Sequence, residues 1–194
     1  MEIRGLLLCG GASVRFGRDK LLEPLGDRRH PIAAVSAHAL VAAMGRVLAV
    51  TRTGRADLRA MLEGAGCEVI ETDRSLEGLG SSLAAGVEAS AGAGGWVVAL
   101  ADMPFIDVAT IRAVRAAVEE GALIAAPVDR ASGRRGHPVG FAARLREELS
   151  AIRGDEGARS VIERHRDSVC LISVGDPGVV RDIDRPCDLS GPAP

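Results

Sequence analysis

With 194 residues, 47% of them apolar and 2% aromatic, and a net charge of −2, the chain is long enough to bury one substantial core and too short for two comfortable domains. Its apolar residues fall in short runs broken by Gly, Pro and charge, which excludes a membrane span, and a near-neutral chain without Tyr offers no surface for polynucleotide. Cys9, Cys67, Cys170 and Cys187 stand far apart with no CxxC pair, so neither a zinc site nor a dithiol motif is written here.

The first apolar run, 3–9, enters from an acidic residue and leaves into glycines, with neither a cationic leader nor a cleavage site. It reads as the first strand of a cytoplasmic protein. Helical patterns at 32–43, 56–64, 81–89 and 107–119 then alternate with strand-like runs at 47–51, 67–71, 96–101 and 123–128. That alternation calls for parallel strands with crossover helices, a three-layer Rossmann-like α/β domain spanning 1–194. The runs LLLC, VLAV and WVVALA are almost continuously apolar, as strands covered on both faces must be. Beyond 128 the rhythm changes: PVGF at 138–141 is a short extended piece, SVCLISV at 168–174 is another strand, and 175–180 reads as a tight turn between two late strands. The sheet is therefore expected to be mostly parallel but mixed.

Open α/β sheets bind ligands beyond the carboxyl ends of their strands, so the segments after the apolar runs carry the chemistry. In CGGASVRFGRDK, Gly10 and Gly11 let backbone amides approach a ligand, and Ser13, Arg15 and Lys20 offer donors to phosphate oxygens. The spacing fits neither a P-loop nor GxGxxG, and a glycine-rich turn with solvated arginines is the bland alternative. Lys20 shifts the balance: it is the single lysine in a chain with 24 basic residues. An ammonium is a compact charge on a flexible stem, suited to a phosphate whose charge moves during reaction, whereas arginine is a fixed fork.

In VVALADMPF, Asp102 follows directly on a buried strand and is well placed to hold Mg²⁺; capping the helix at Asp107 is the weaker reading, because Asp107 itself suits that role. In VVRDIDRP, Asp182 and Asp184 alternate across a short strand, so only one can face the crevice and complete a metal site with Asp102. His137, between Gly136 and Pro138 in a basic loop, either binds a ligand or shapes the turn.

Taken together, GGASVRFGRDK at 10–20, GLGSSLAAGV at 78–87, LADMPF at 100–105, GRRGHPVGF at 133–141, GDEGAR at 154–159 and DIDRPCDL at 182–189 resemble the nucleotidyltransferases of molybdenum cofactor biosynthesis, in the family's order. GLGSSLAAG, GHP and GDEGAR look like the cytidylyltransferase branch, which uses CTP; the opening LCGG looks closer to the guanylyltransferases, which use GTP. Cys187 stands where the family usually has Glu. The resemblance implies Mg²⁺-dependent nucleotidyl transfer to molybdopterin, with the product passed to a recipient molybdoenzyme.

By the same resemblance, Gly10, Gly11 and Ala12 would meet base and ribose, and Arg15 and Lys20 the triphosphate. Gly80 and Ser82 would meet the pyrimidine through backbone and hydroxyl, and Asp102 with Asp184 the metal. Gly136, His137, Pro138 and Arg159 would lie on the molybdopterin side. A sugar-phosphate nucleotidyltransferase would lack GHP and GDEGAR, and a non-catalytic cofactor carrier would have no need of Lys20 and Asp102.

Overall fold

The computed structural model describes residues 2–10, 19–26 and 30–189. Gly11, Ala12, Ser13 and Arg15, singled out above, lie outside those residues. Among the described residues seven strands form one sheet: β1 (Ile3–Leu8), β2 (Val47–Thr51), β3 (Glu68–Glu71), β4 (Gly95–Leu100), β5 (Ile124–Asp129), β6 (Val139–Ala142) and β7 (Val169–Val174). Their spatial order is β3-β2-β1-β4-β6-β5-β7, and every pairing is parallel except those of β6, which runs antiparallel to β4 and β5. The sheet is thus mixed and mostly parallel, as the sequence pattern requires.

The helices are α1 (Ile32–Met44), α2 (Ala56–Gly64), α3 (Leu79–Ala89), α4 (Val108–Glu119), α5 (Arg146–Ser150) and α6 (Arg159–Arg164). Leu40 of α1, Leu58 and Leu62 of α2, and Ile111 and Val114 of α4 build one apolar layer; Leu83 and Val87 of α3, Leu149 of α5, and Val161 and Ile162 of α6 build the other. Successive β1 residues feed the two layers alternately, Leu7 one and Leu6 and Leu8 the other, which is why LLL needs no polar interruption. Trp96 and Phe141 sit opposite each other across β4 and β6, fully buried, and the indole N–H donates to Ser90 Oγ at 2.9 Å. No helix among the described residues is long and apolar enough to cross a membrane.

Two local expectations fail. The turn at 175–180 does not join two strands: residues Pro177–Val180 form a short 3-10 turn, and 181–184 is a strap without strand pairing. Asp182 and Asp184 are therefore not strand neighbours, yet their side chains still part company, Asp182 to solvent and Asp184 inward, with Ile183 buried between them. Isolated backbone bonds rather than a ladder hold this region: Ile183 N–H of the strap to the Asp102 carbonyl, and His137 N–H to the Val179 carbonyl of the 3-10 turn before it. Nor does Asp107 cap α4 with its side chain. Asp176, delivered by the 3-10 turn, does so by accepting from Asp107 N–H at 2.9 Å and from the Thr110 hydroxyl at 2.7 Å.

Candidate active site

Lys20 opens a short 3-10 turn after the glycine-rich segment, and its N-cap Asp19 accepts from Leu21 N–H at 3.2 Å. The same Asp19 carboxylate is ion-paired with Arg55, a buried residue at the start of α2. Asp19 is thereby tied to the start of α2, beyond the carboxyl end of β2. From this position the Lys20 ammonium donates to Asp102 Oδ2 at 2.8 Å, to the Ile183 carbonyl at 2.7 Å and to Asp184 Oδ1 at 3.1 Å. Its three N–H groups are all used.

Burial alone would lower the Lys20 pKa, but attraction and hydrogen bonds from Asp102 and then Asp184 outweigh it and hold the ammonium above its ordinary value. The side chain is nearly covered, while Asp184 is 44% exposed, so the cluster opens to solvent on the Asp184 side. Asp102 follows β4 and is oriented through its own carbonyl, which accepts from Ile183 N–H at 2.9 Å. Asp184 is set by Asp188, whose Oδ2 accepts from Asp184 N–H at 3.0 Å and Arg185 N–H at 2.7 Å. Those two backbone donors, Arg185 first, lower the Asp188 pKa.

The donor set around the ammonium is two carboxylates and a carbonyl, all hard oxygens converging on one positive charge. No cluster of three or more His, Cys, Asp or Glu forms among the described residues. Two carboxylates nevertheless fit Mg²⁺, which ordinarily completes its shell with water and substrate phosphates. The ammonium sits where these oxygens converge.

The other predicted residues fall into two groups around this cluster. Gly136, His137 and Pro138 dock between β5 and the 3-10 turn that precedes the strap: Gly136 N–H donates to the Pro127 carbonyl at 2.9 Å, and a Cβ on Gly136 would lie 1.9 Å from the Val179 carbonyl oxygen. Only glycine fits there. Burial lowers the His137 pKa; a hydrogen bond to the Val98 carbonyl and the charges of Asp102 and Asp182 oppose that without overcoming it, so the ring is neutral at pH 7. Its Nδ1 is enclosed without a hydrogen-bond partner.

The second group joins 78–82 to 153–155. Leu79 N–H donates to Asp155 Oδ1 at 3.2 Å, Gly80 N–H to the Gly154 carbonyl at 2.8 Å, and Gly154 N–H to Ser81 Oγ at 3.1 Å. Gly78 has φ 127°, and a Cβ there would meet Asp155 Cα at 2.7 Å. GLGSSLAAG and GDEGAR are therefore one interlocked unit. The Gly80 N–H is committed to Gly154 and is not free for a base, whereas the Ser82 hydroxyl, donating to the Gly78 carbonyl at 3.2 Å, lies beside Gly10. Arg159, at the first turn of α6, is exposed and is not brought to the Lys20 cluster.

A family model described as the MobA-like NTP transferase domain matches residues 5–169. The chain belongs to that family. It is 29% identical over 193 residues to the purine catabolism protein PucB of Bacillus subtilis, covering 94% of this chain and 91% of that protein. It is also 29% identical over 198 residues to nicotine blue oxidoreductase of Paenarthrobacter nicotinovorans, covering 94% and 92%. The solved structure of Rv0371c from Mycobacterium tuberculosis H37Rv matches with a TM-score of 0.78 at 27% identity over 97% of this chain and 95% of that one. A complex of Rv0371c with manganese gives a TM-score of 0.77 at 24% identity, covering 97% and 96%.

Within this MobA-like domain, sequence reasoning missed Asp19, Arg55, Asp188 and the Ile183 carbonyl. Arg55 carries no signal among so many arginines, and a carbonyl oxygen carries none at all. Asp188 lies in the DIDRPCDL segment already singled out.

Proposed function

We propose that this MobA-like protein transfers CMP from CTP to the terminal phosphate of molybdopterin, releasing pyrophosphate and forming molybdopterin cytosine dinucleotide. The observation that carries the reading is the oxygen cage of Asp102, Asp184 and the Ile183 carbonyl around one cation, beyond the carboxyl end of β4. Asp102 and Asp184 would hold Mg²⁺, which supplies charge neutralisation at the phosphate oxygens. The manganese complex of Rv0371c supports a divalent ion in this fold.

In this reading Arg15 and Lys20 serve the triphosphate, Lys20 by giving up one of its three internal hydrogen bonds and following charge onto the departing pyrophosphate. No protein base is needed, because a phosphomonoester with a second pKa of about 6 is largely ionised at neutral pH. The chain's task is to bring two polyanions together in line and screen their repulsion. Gly10, Gly11, Ala12, Ser13, Gly80 and Ser82 shape the nucleotide side in this assignment, Gly80 through packing. Gly136, His137, Pro138 and Arg159 shape the pterin side.

CTP is preferred on GLGSSLAAG, GHP and GDEGAR, while the LCGG opening keeps GTP as the second reading. Equimolar CTP and GTP, offered together with Mg²⁺ and molybdopterin, decide between them by the dinucleotide formed. Cytosine dinucleotide is the expected product; guanine dinucleotide in excess transfers the assignment to GTP. Absence of both, with the pterin intact, favours a cofactor carrier.

A further inference from the structure

Asp176 is a buried carboxylate with no role in the proposed reaction. It stands just before the 3-10 turn Pro177–Val180, and its two oxygens reach in two directions. Oδ1 accepts from Gly178 N–H at 3.0 Å, within the turn; Oδ2 accepts from Asp107 N–H at 2.9 Å and from the Thr110 hydroxyl at 2.7 Å, at the start of α4. A helix cap ordinarily comes from the N-cap residue itself. Here that residue is Asp107, which makes no such bond, and the carboxylate arrives from 69 positions further along the chain. The bond therefore joins two distant segments as well as ending a helix.

Those segments carry the two carboxylates of the candidate site, Asp102 upstream of Asp107 and Asp184 downstream of Asp176. Between these ends they touch closely. A Cβ on Gly178 would lie 2.1 Å from the Phe105 carbonyl oxygen, the Arg181 guanidinium lies 3.9 Å from the centre of the Phe105 ring, and Ile183 N–H donates to the Asp102 carbonyl at 2.9 Å. Residues 102–107 and 176–183 thus run side by side in opposite directions. Asp176 pins one end, and the Ile183 bond closes the other.

We propose that Asp176 is a positioning residue of the site: it fixes where the strap starts, so that Asp184 and the Ile183 carbonyl meet Asp102 at one point. This rests on the proposed reading in which Asp102 and Asp184 hold the divalent metal. Hydrogen bonds to a buried charged group are strong, and three of them end on this one carboxylate. Asparagine separates positioning from capping. It caps helices about as well as aspartate, so a residue that only capped α4 would tolerate the change. It has a single acceptor oxygen, however, and its amide N–H groups would face donors, so a link between turn and helix is lost.

Lys20 is the single lysine of the chain, so ¹⁵N-lysine labelling gives one side-chain ammonium signal, which reports the oxygen cage without any metal. Asp176→Asn is expected to move or broaden that signal and to weaken Mn²⁺ binding about tenfold, read from the paramagnetic resonance of free Mn²⁺. Thr110→Val removes one donor and keeps the carboxylate, and should change both in the same direction by less. Val161→Ala, buried in α6 on the opposite layer, should lower the melting temperature and change neither. Circular dichroism confirms folding, and Thr110→Val decides alone if Asp176→Asn does not fold. An unchanged ammonium signal and Mn²⁺ affinity in folded Asp176→Asn, or the same changes in Val161→Ala, would overturn the positioning role. Mn²⁺ binding indifferent to Asp102→Asn would overturn the metal reading instead, and the ammonium signal would still decide whether Asp176 sets the cage.

Discussion

At the scale of single residues, the candidate site centres on one ammonium saturated by three oxygens. Removing it leaves Asp102 and Asp184 facing each other without a cation, a repulsion that a divalent ion relieves. Lys20→Ala is therefore expected to lower the melting temperature without metal, to regain it with Mg²⁺, and to bind Mg²⁺ about tenfold tighter by calorimetry, since the competing charge is gone. Turnover of the same variant should fall about 100-fold. Unchanged metal affinity would show that the ammonium does not share the metal's place.

His137 gives a pH dependence with a definite sign. Burial lowers its folded pKa below the ordinary 6.5, so just below 6.5 the unfolded chain takes up a proton that the folded chain refuses. Stability should be unaffected by this group above 6.5 and fall as the pH drops towards the lowered folded value. Melting curves of wild type and His137→Gln across that window should converge at low pH if the residue acts as described. Burial also pushes the Cys9 thiol far up and the Cys67 thiol to about 11, so neither should react with iodoacetamide in the folded protein at pH 7.

At the scale of elements, the site depends on the 181–184 strap and the Asp19–Arg55 ion pair, which the sequence pattern conceals. Periodicity reports how a segment packs, and 181–184 packs by isolated backbone bonds to Asp102 and Asp188, so its alternation of Asp182, Ile183 and Asp184 imitates a strand. Gly136 is where the 3-10 turn before the strap meets the GHP segment. Gly136→Ala drives a methyl into the Val179 carbonyl and should destabilise by about 3 kcal/mol, with a larger loss of activity than of folded protein at 25 °C.

The Asp19–Arg55 ion pair holds the start of the Lys20 turn. Asp19→Asn and Arg55→Met should each reduce turnover, and their combination should cost little more than the worse single change, because both release the same constraint. Additive losses would mean that the two residues act separately.

At the scale of the molecule, the fold was legible and the site half so. Runs such as LLLC and WVVALA are buried on both faces, and that double burial is written directly in their composition. The insertion of β6 between β4 and β5 could be anticipated only as a change of rhythm, since strand order depends on pairings made over long separations. Lys20, Asp102 and Asp184 stood out as residue types in telling positions. Their meeting at one point did not, because it requires the strap to return across the strand ends.

In the proposed reading Asp102 and Asp184 hold the divalent metal for nucleotidyl transfer, with the Lys20 ammonium beside them. The most direct measurement is pyrophosphate release from CTP with molybdopterin, titrated with Mg²⁺ and then Mn²⁺, for wild type and Asp102→Asn. Metal-dependent release by the wild type, matched by dinucleotide formation and lost in Asp102→Asn, is the predicted result. Release that is independent of metal, or that survives Asp102→Asn with unchanged metal dependence, would contradict it.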